Sequence, residues 1–301
     1  MRKKLAVLSV LLAGTLWGLI GFFVRRYQAM GLDSMQIAAL RITLSAIMFA
    51  LFVLIYKPKL FKIHLKDIWC FLGTGVVSVG VFTFCYFKSI ELSSLSVAAV
   101  LLYTAPAFVM IFSLICFKER MTVMKGVSVL LAVLGCAMTT GVIGGDVNIT
   151  LAGFLFGLGS GVCYALYSIF SRFALKRGYE PFTITVYTFL LAAVFSIVTC
   201  DVRPVVSVMT ADIGSVGFAV LFALVSCLLP YTFYTLGLKY ISSGTASIIA
   251  TVEPVVATVV GAWYFGEAIG VPFGYIGVGL VFLSVVLINI KIPHKTKSSS
   301  R

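Results

Sequence analysis

Residues 103–119, YTAPAFVMIFSLICFKE, and residues 251–267, TVEPVVATVVGAWYFGE, are two versions of one segment, 148 positions apart. The same offset aligns four pairs of residues: Tyr86 with Tyr234, Pro106 with Pro254, Glu119 with Glu267, and Gly126 with Gly274. Upstream, an offset of 147 aligns four more: Gly14 with Gly161, Arg25 with Arg172, Gly31 with Gly178, and Asp33 with Glu180. A repeat of this length inside apolar runs predicts a duplicated membrane protein, an arrangement typical of transporters.

The composition indicates that lipid is the solvent for much of the surface. Of 301 residues, 61% are hydrophobic and 11% are charged, whereas about a quarter of the residues in a soluble domain are charged. The formal net charge of +13 comes from basic residues in short segments between apolar runs. We interpret them as topology signals and lipid-headgroup contacts, and we expect no nucleic-acid partner.

The apolar runs are long enough to cross a bilayer, which takes roughly 20 helical residues. They predict ten spanning helices at about 5–24, 35–56, 68–87, 95–117, 121–141, 151–171, 182–200, 213–236, 244–265 and 270–290. A β-barrel is excluded, because its strands would alternate apolar and polar residues with a period of two.

The charges between the spans predict the orientation of the chain. With the N-terminus inside, the inner segments hold 18 Lys and Arg residues and the outer segments hold four. The positive-inside rule then places both termini in the cytoplasm and the protein in the cytoplasmic membrane.

Five helices in each half make the second half enter the membrane from the opposite face. The sequence therefore predicts an all-α integral membrane protein of two inverted five-helix repeats around a central cavity. We assign residues 1–145 to the first repeat, 146–292 to the second, and 293–301 to a polar cytoplasmic tail, with Asp146 in the link between the repeats.

Other functional classes find little support in the sequence. The seven cysteines contain no CxxC pair, so we interpret them as small packing residues without disulfide or metal roles. Both histidines, His64 and His294, lie outside the spans, and no nucleotide-binding GxxxxGK[ST] loop is present. We therefore expect neither an enzyme, nor a bound metal, nor a cofactor. We do not interpret the basic N-terminal residues as part of a signal peptide, because residues 14–25 have a repeat partner at 161–172.

A set of motifs resembles one transporter family. The set comprises five plus five helices, Leu16-Trp17-Gly18, Arg41 in the second helix, and Glu253-Pro254 followed by Gly266-Glu267. Over about residues 5–290 the chain resembles the EamA-type ten-helix branch of the drug/metabolite transporter superfamily. The resemblance implies a basket of helices around a cavity and transport, often export, of small metabolites such as amino acids. The first repeat departs from the motif, because Ala105 stands where the second has Glu253.

Glu253 and Arg41 are the charged residues that we place well inside spans. A carboxylate near the bilayer centre costs about 2–3 kcal/mol or more, so Glu253 should face a cavity or a partner. It could couple protons or bind a substrate amine, or it could anchor the kink at Pro254. Arg41 could bind a substrate carboxylate, or it could pair with a backbone carbonyl or snorkel outward. The two side chains could also pair with each other.

Several residues near the two prolines could complete a substrate site. Tyr103, Thr104 and Thr251 could line the cavity or make interhelical hydrogen bonds. Pro106 and Pro254 are candidate hinges.

Four aromatic residues could lie either at the cavity or at the membrane surface. Trp17 and Tyr164 occupy matching positions beside glycine-rich faces; they could act as gates or stacking plates, or belong to an aromatic belt. Tyr86 and Tyr234 lie at predicted span ends, which favours the belt.

The main functional hypothesis is a secondary carrier that exports small metabolites, amino acids or derivatives first, by alternating access. Its partners would be the small-molecule substrate, the bilayer and, for coupling, protons. Efflux of hydrophobic cations, with Glu253 as counter-charge, and a non-transporting receptor or scaffold remain the alternatives. The sequence leaves the substrate, the direction of flux, the energy source and the oligomeric state open.

Overall fold

A computed structural model describes residues 2–119, 122–139, 142, 150–210, 213–266 and 273–289. Within these ranges the chain is helical and forms no strand. The first repeat holds α1 (Arg2–Gly18 and Ile20–Ala29), α2 (Ser34–Tyr56), α3 (Ile68–Leu72, Gly73–Val81 and Phe82–Leu92), α4 (Leu95–Leu102 and Ala105–Phe117) and α5 (Val123–Thr139). The second holds α6 (Leu151–Lys176), α7 (Pro181–Thr199), α8 (Ile213–Ala223, Leu224–Leu228 and Leu229–Leu238), α9 (Ser243–Ala250 and Val252–Phe265) and α10 (Phe273–Asn289).

These helices confirm the ten-helix membrane fold. In the described ranges, eight units are long and apolar enough to cross a membrane, and α5 and α10 are shorter apolar helices. The two short helices pack closely side by side, since a Cβ at Gly135 would lie 2.8 Å from the Gly277 carbonyl oxygen. The predicted domain boundary at 145/146, Asp146, Glu267 and the tail at 293–301 lie outside the described residues.

Five of the ten spans are interrupted and are not continuous α-helices. In α4 and α9 the cause is proline, which lacks an amide donor and disfavours a helical residue before it. Pro106 and Pro254 each stand in the first turn of a new segment, after breaks at Tyr103–Thr104 and at Thr251. In α3 and α8 the central segments, Gly73–Val81 and Leu224–Leu228, are π-helical.

The two repeats match in detail as well as in helix number. The Ser94 hydroxyl caps α4 by accepting a hydrogen bond, 3.2 Å long, from the backbone amide three residues later. Ser242 caps α9 in the same way, also at 3.2 Å. Gly31 and Gly178 both have φ near +87°, a left-handed conformation that glycine adopts without strain. The π-helical segments of α3 and α8 overlap under the offset of 148. The two repeats therefore share these irregularities of the helices.

A short helix, Arg203–Thr210, lies between α7 and α8, where the sequence predicted only a loop. Its Val205 is buried in a cluster with Phe23, Tyr27 and Phe222. This segment covers the end of the bundle that α1 and α8 share.

Candidate functional site

The break in α9 places Glu253 inside the bundle. Thr251 ends the first segment, and its hydroxyl donates to the Ile248 carbonyl at 2.6 Å. Glu253 lies in the first turn of the second segment and is partly buried between buried neighbours, Val252 and Pro254. A carboxylate in the first turn is favoured by the free amides and the helix dipole there.

The break in α4 repeats this arrangement without the acid. Thr104 donates to the Leu101 carbonyl at 2.6 Å, as Thr251 does in α9. Ala105, at the position equivalent to Glu253, is 1% exposed. Both threonine hydroxyls therefore bond to their own helices, and the interhelical hydrogen bonds considered for them are not formed in the described structure.

Two glycine-rich helices pack directly onto the breaks. A Cβ at Gly18 of α1 would lie 2.7 Å from the Glu253 carbonyl oxygen, and one at Gly14 would lie 3.0 Å from the Ala250 carbonyl oxygen. On α6, a Cβ at Gly161 would lie 2.9 Å from the Leu101 carbonyl oxygen. The glycine-rich faces thus hold the broken helices, whereas Gly21, three residues beyond Gly18 in α1, has open space around it.

Trp17 is at the centre of an aromatic cluster. Its ring centroid lies 6.1 Å from that of Tyr164, 5.3 Å from that of Tyr231 and 5.5 Å from that of Tyr234. Trp17 is 6% exposed, so a place in an aromatic belt is wrong for it. Trp17 and Tyr164 contact each other edge to face and form one wall, instead of lying above and below a ligand.

The aromatic cluster borders a narrow cavity of about 10 Å³, which is room for about one water molecule. Its lining combines aromatic faces with hydroxyl groups, from Trp17, Ser78, Tyr164, Tyr167, Ser168, Tyr231 and Tyr234. Ser78 belongs to the π-helical segment of α3. π-Helical turns often occur at functional sites, where they redirect side chains.

Hydrogen bonds between helices fix the hydroxyl groups of the cavity. The Tyr234 and Ser168 hydroxyls are 2.8 Å apart, as are those of Tyr167 and Thr235. Tyr234 is 2% exposed, so its assignment to the membrane surface is wrong. Tyr234 is the repeat partner of Tyr86. In the sequence, this repeat pairing was the feature that could have indicated an internal role for Tyr234.

Arg41 and Glu253 interact electrostatically inside the bundle. The guanidinium and the carboxylate act on each other through their charges, and the Tyr103 side chain lies beside the carboxylate. Arg41 also acts on the hydroxyls of Tyr86 and Tyr231. Both charged residues belong to the described chain, and no direct ion pair of 4.0 Å or less joins them. Tyr86 packs against the buried cluster of Phe82, Leu102 and Cys163, so it belongs to the interior and not to a belt.

Taken together, the described residues give this region one acid and one base, with hydroxyls and aromatic faces nearby. A molecule with an amine and a carboxylate could satisfy both charges, and aromatic faces suit an apolar substituent or a cation. In the part of the chain that the structure describes, no cluster of three or more His, Cys, Asp or Glu residues could hold a metal ion.

Sequence and structure comparisons identify proteins that this chain resembles. Residues 4–141 and 151–290 each match the EamA-like transporter family. An uncharacterized transporter, YyaM, of Bacillus subtilis (strain 168) is 26% identical over 309 residues, which cover 99% of each chain. The threonine/homoserine exporter RhtA of Escherichia coli (strain K12) is 26% identical over 262 residues, 87% of this chain and 83% of that protein. A protein crystal structure at 15% identity aligns with a TM-score of 0.76 over 94% of this chain and 96% of that one, which shows a common fold.

Proposed function

The chain belongs to the EamA-like transporter family, and from that premise we propose that it is a secondary carrier that exports small zwitterionic metabolites. Amino acids and their derivatives are the first candidates. The observation that carries this proposal is the placement of Arg41 and Glu253, which act on each other inside the bundle without a direct ion pair. A zwitterion placed between them would give each charge a partner, with its carboxylate toward Arg41 and its amine toward Glu253.

Two further observations support the substrate class. The aromatic and hydroxyl lining beside the charged pair offers both apolar contact and hydrogen bonds to a small amphipathic molecule. A relative at 26% identity carries the name threonine/homoserine exporter. At that identity the side-chain specificity of the site can differ, so the proposal extends to the common zwitterionic core and not to a particular side chain.

We propose alternating access as the mechanism. The inverted repeats give the bundle two similar halves, and exchanging their conformations would open the site to the opposite face. The small cavity fits an occluded form with both faces closed. Pro106 and Pro254 would be hinges, because their segment breaks leave the two parts of α4 and of α9 free to reorient.

The excess of basic residues supports an orientation with both termini in the cytoplasm. The segments on that side hold 18 Lys and Arg residues against four on the other. The predominance also supports the cytoplasmic membrane as the location.

The test is efflux from proteoliposomes loaded with a mixture of the proteinogenic amino acids. We expect selective, protein-dependent loss of one or a few compounds, and we expect Arg41→Gln and Glu253→Gln each to lower it by at least about tenfold, since each leaves one substrate charge unpaired. Glu180→Gln is the control, because it removes an acid that is 46% exposed at one end of the bundle. Loss no greater than from empty liposomes would refute amino-acid transport.

An imposed proton gradient tests the coupling role of Glu253. If Glu253 carries the proton, the gradient should alter wild-type efflux, and the residual efflux of Glu253→Gln should be insensitive to it. Wild-type efflux that ignores the gradient would refute proton coupling and leave facilitated diffusion.

Efflux of hydrophobic cations is the second candidate, favoured by the aromatic faces around Trp17 and the single acid near them. Arg41→Gln separates the two functions. Zwitterion export requires the guanidinium and should fail in this variant, whereas cation efflux should persist or increase once the positive charge is gone.

A further inference from the structure

A charged cluster joins the ends of α4 and α6, far from the Arg41–Glu253 site. Glu119 follows the last turn of α4, and Arg172 lies in the last part of α6. Arg172 Nη2 is 3.6 Å from Glu119 Oε1, and Lys125 Nζ is 3.9 Å from Glu119 Oε2. The side chains are 14–24% exposed, so the cluster is largely shielded from solvent.

The contact between Glu119 and Arg172 crosses from the first repeat to the second. Glu119 and Lys125 both belong to the first repeat. Arg172 is held within the second, since its Nη1 donates to the carbonyl oxygens of Leu238 at 3.1 Å and Ile241 at 2.7 Å. Each partner therefore has a second set of contacts inside its own half.

A neighbouring aromatic contact strengthens the same junction. The rings of Phe117 on α4 and Phe173 on α6 have centroids 4.7 Å apart, and Lys176 Nζ lies 4.4 Å above the Phe117 ring. The ends of α4 and α6 thus meet through one ion pair and one tilted aromatic contact.

The ion pair can form and break with little net change in free energy. Among the described residues, neither carboxylate oxygen of Glu119 has a hydrogen-bond partner. A shielded pair held by charge alone gains Coulomb energy but loses hydration, and the two effects nearly cancel. If the helix ends separate, Glu119 keeps Lys125 and gains water, while Arg172 keeps its two carbonyls. Neither charge would then be left buried and unpaired.

We propose that Glu119 and Arg172 form a latch that holds this end of the carrier closed and releases when the site opens to that face. The inference rests on the alternating-access part of the proposed function, and it concerns positioning residues that do not touch the substrate. The latch sets the balance between the closed and open forms at one face and leaves the binding site itself unchanged.

The experiment measures opening without any substrate. A single reporter, Ser78→Cys in a variant lacking the seven native cysteines, places a thiol at the cavity. A membrane-impermeant maleimide is added separately from each side of the membrane, and the labelling rate is followed by mass spectrometry. Glu119→Gln should raise the rate from the latch side by about fivefold or more and from the other side not at all, the size expected for a modest conformational coupling.

Two controls test whether the effect belongs to the cross-repeat contact. Lys57 and Glu180 also form an ion pair between the repeats, at 2.7 Å, but both side chains are nearly half exposed, so Glu180→Gln should leave labelling within about twofold of the wild type. Lys125→Gln removes the partner inside the first repeat and should likewise leave the rate within about twofold. A rate increase in either control equal to that in Glu119→Gln would overturn the proposal.

Folding is checked by size-exclusion chromatography and by melting temperature. If Glu119→Gln does not fold, Arg172→Gln replaces it and should give the same one-sided increase. Unchanged labelling in a folded Glu119→Gln protein refutes the latch. A one-sided increase in a protein that exports no amino acid supports the latch and refutes the proposed substrate instead.

Discussion

A methyl group at Gly18 should displace Glu253 from the site. An added Cβ at Gly18 would lie 2.6 Å from Val256 Cβ and 2.7 Å from the Glu253 carbonyl oxygen. Carbon atoms in contact prefer about 3.5–4.0 Å, so α1 and the second segment of α9 would have to separate by about 1 Å. The contact on one side is backbone, which cannot rotate away as a flexible side chain can.

The expected cost of Gly18→Ala is about 1–3 kcal/mol of stability, the usual range for overpacking. Because each kcal/mol shifts the melting temperature of a domain of 150–250 residues by about 2–4 °C, a loss of several degrees is expected in detergent. The same shift changes the position of the Glu253 carboxylate relative to Arg41. Since a misplacement of about 1 Å can cost up to about a hundredfold in an enzyme, we expect transport to fall by roughly tenfold or more.

Gly21→Ala is the matched control, because it makes the same chemical change three residues along the same helix. An added Cβ at Gly21 meets nothing within 4 Å, and alanine favours a helix over glycine by about 0.5–1 kcal/mol. Thermal unfolding in detergent and efflux from proteoliposomes should therefore be unchanged or slightly improved in this variant. Equal melting temperatures and equal efflux in the two variants would refute the close approach of α1 to α9.

Three further outcomes test the packing around the cavity. Mild oxidation with copper phenanthroline should join Cys85 of α3 and Cys163 of α6, whose side chains interact with each other. Non-reduced peptide mapping should then find both cysteines in one disulfide-linked species; separate peptides would show that the register of α3 against α6 is wrong. Trp17→Ala should weaken substrate affinity and lower the melting temperature, since burying a Trp ring contributes about 3–5 kcal/mol, whereas Trp17→Phe should retain most of both; equal losses would contradict a role for the ring in packing. Tyr234→Phe and Ser168→Ala should each cost about 1–3 kcal/mol by leaving a buried hydroxyl unpaired, and the double variant should cost less than their sum in thermal unfolding; strict additivity would refute the 2.8 Å hydrogen bond.

The number and order of the helices could be predicted because they depend on quantities that a sequence carries directly. Apolar length determines which segments cross the membrane, and the offset of 148 relates α4 to α9 and its cap at Ser94 to the cap at Ser242. The prolines indicated where α4 and α9 deviate from a continuous α-helix. The π-helical segments had no comparable signal, since their residues also suit an ordinary α-helix and only packing selects the wider turn.

The candidate site was predictable only in part, because depth in the membrane was inferred from the ends of apolar runs. Glu253 was predicted to face inward because a carboxylate is too costly in lipid, and the structure places it inside. Tyr234 was assigned to the membrane surface because it lies two residues before the end of an apolar run. In the structure α8 extends to Leu238, and Tyr234 turns toward Ser168 and Trp17. Which face of a helix a tyrosine occupies depends on contacts between distant segments, and no local pattern records them.

The matched π-helical segments also bear on how the chain arose. A π-helical hydrogen bond spans one residue more than an α-helical one, so such a segment holds an extra residue in the turn. Leu224–Leu228 corresponds to residues 76–80, inside Gly73–Val81. A wider turn already present in one ancestral five-helix unit before duplication would account for both segments at once, whereas separate origins would require two independent events at one site. That ancestor would have enclosed the same cavity only as an antiparallel homodimer, with identical subunits inserted in opposite directions.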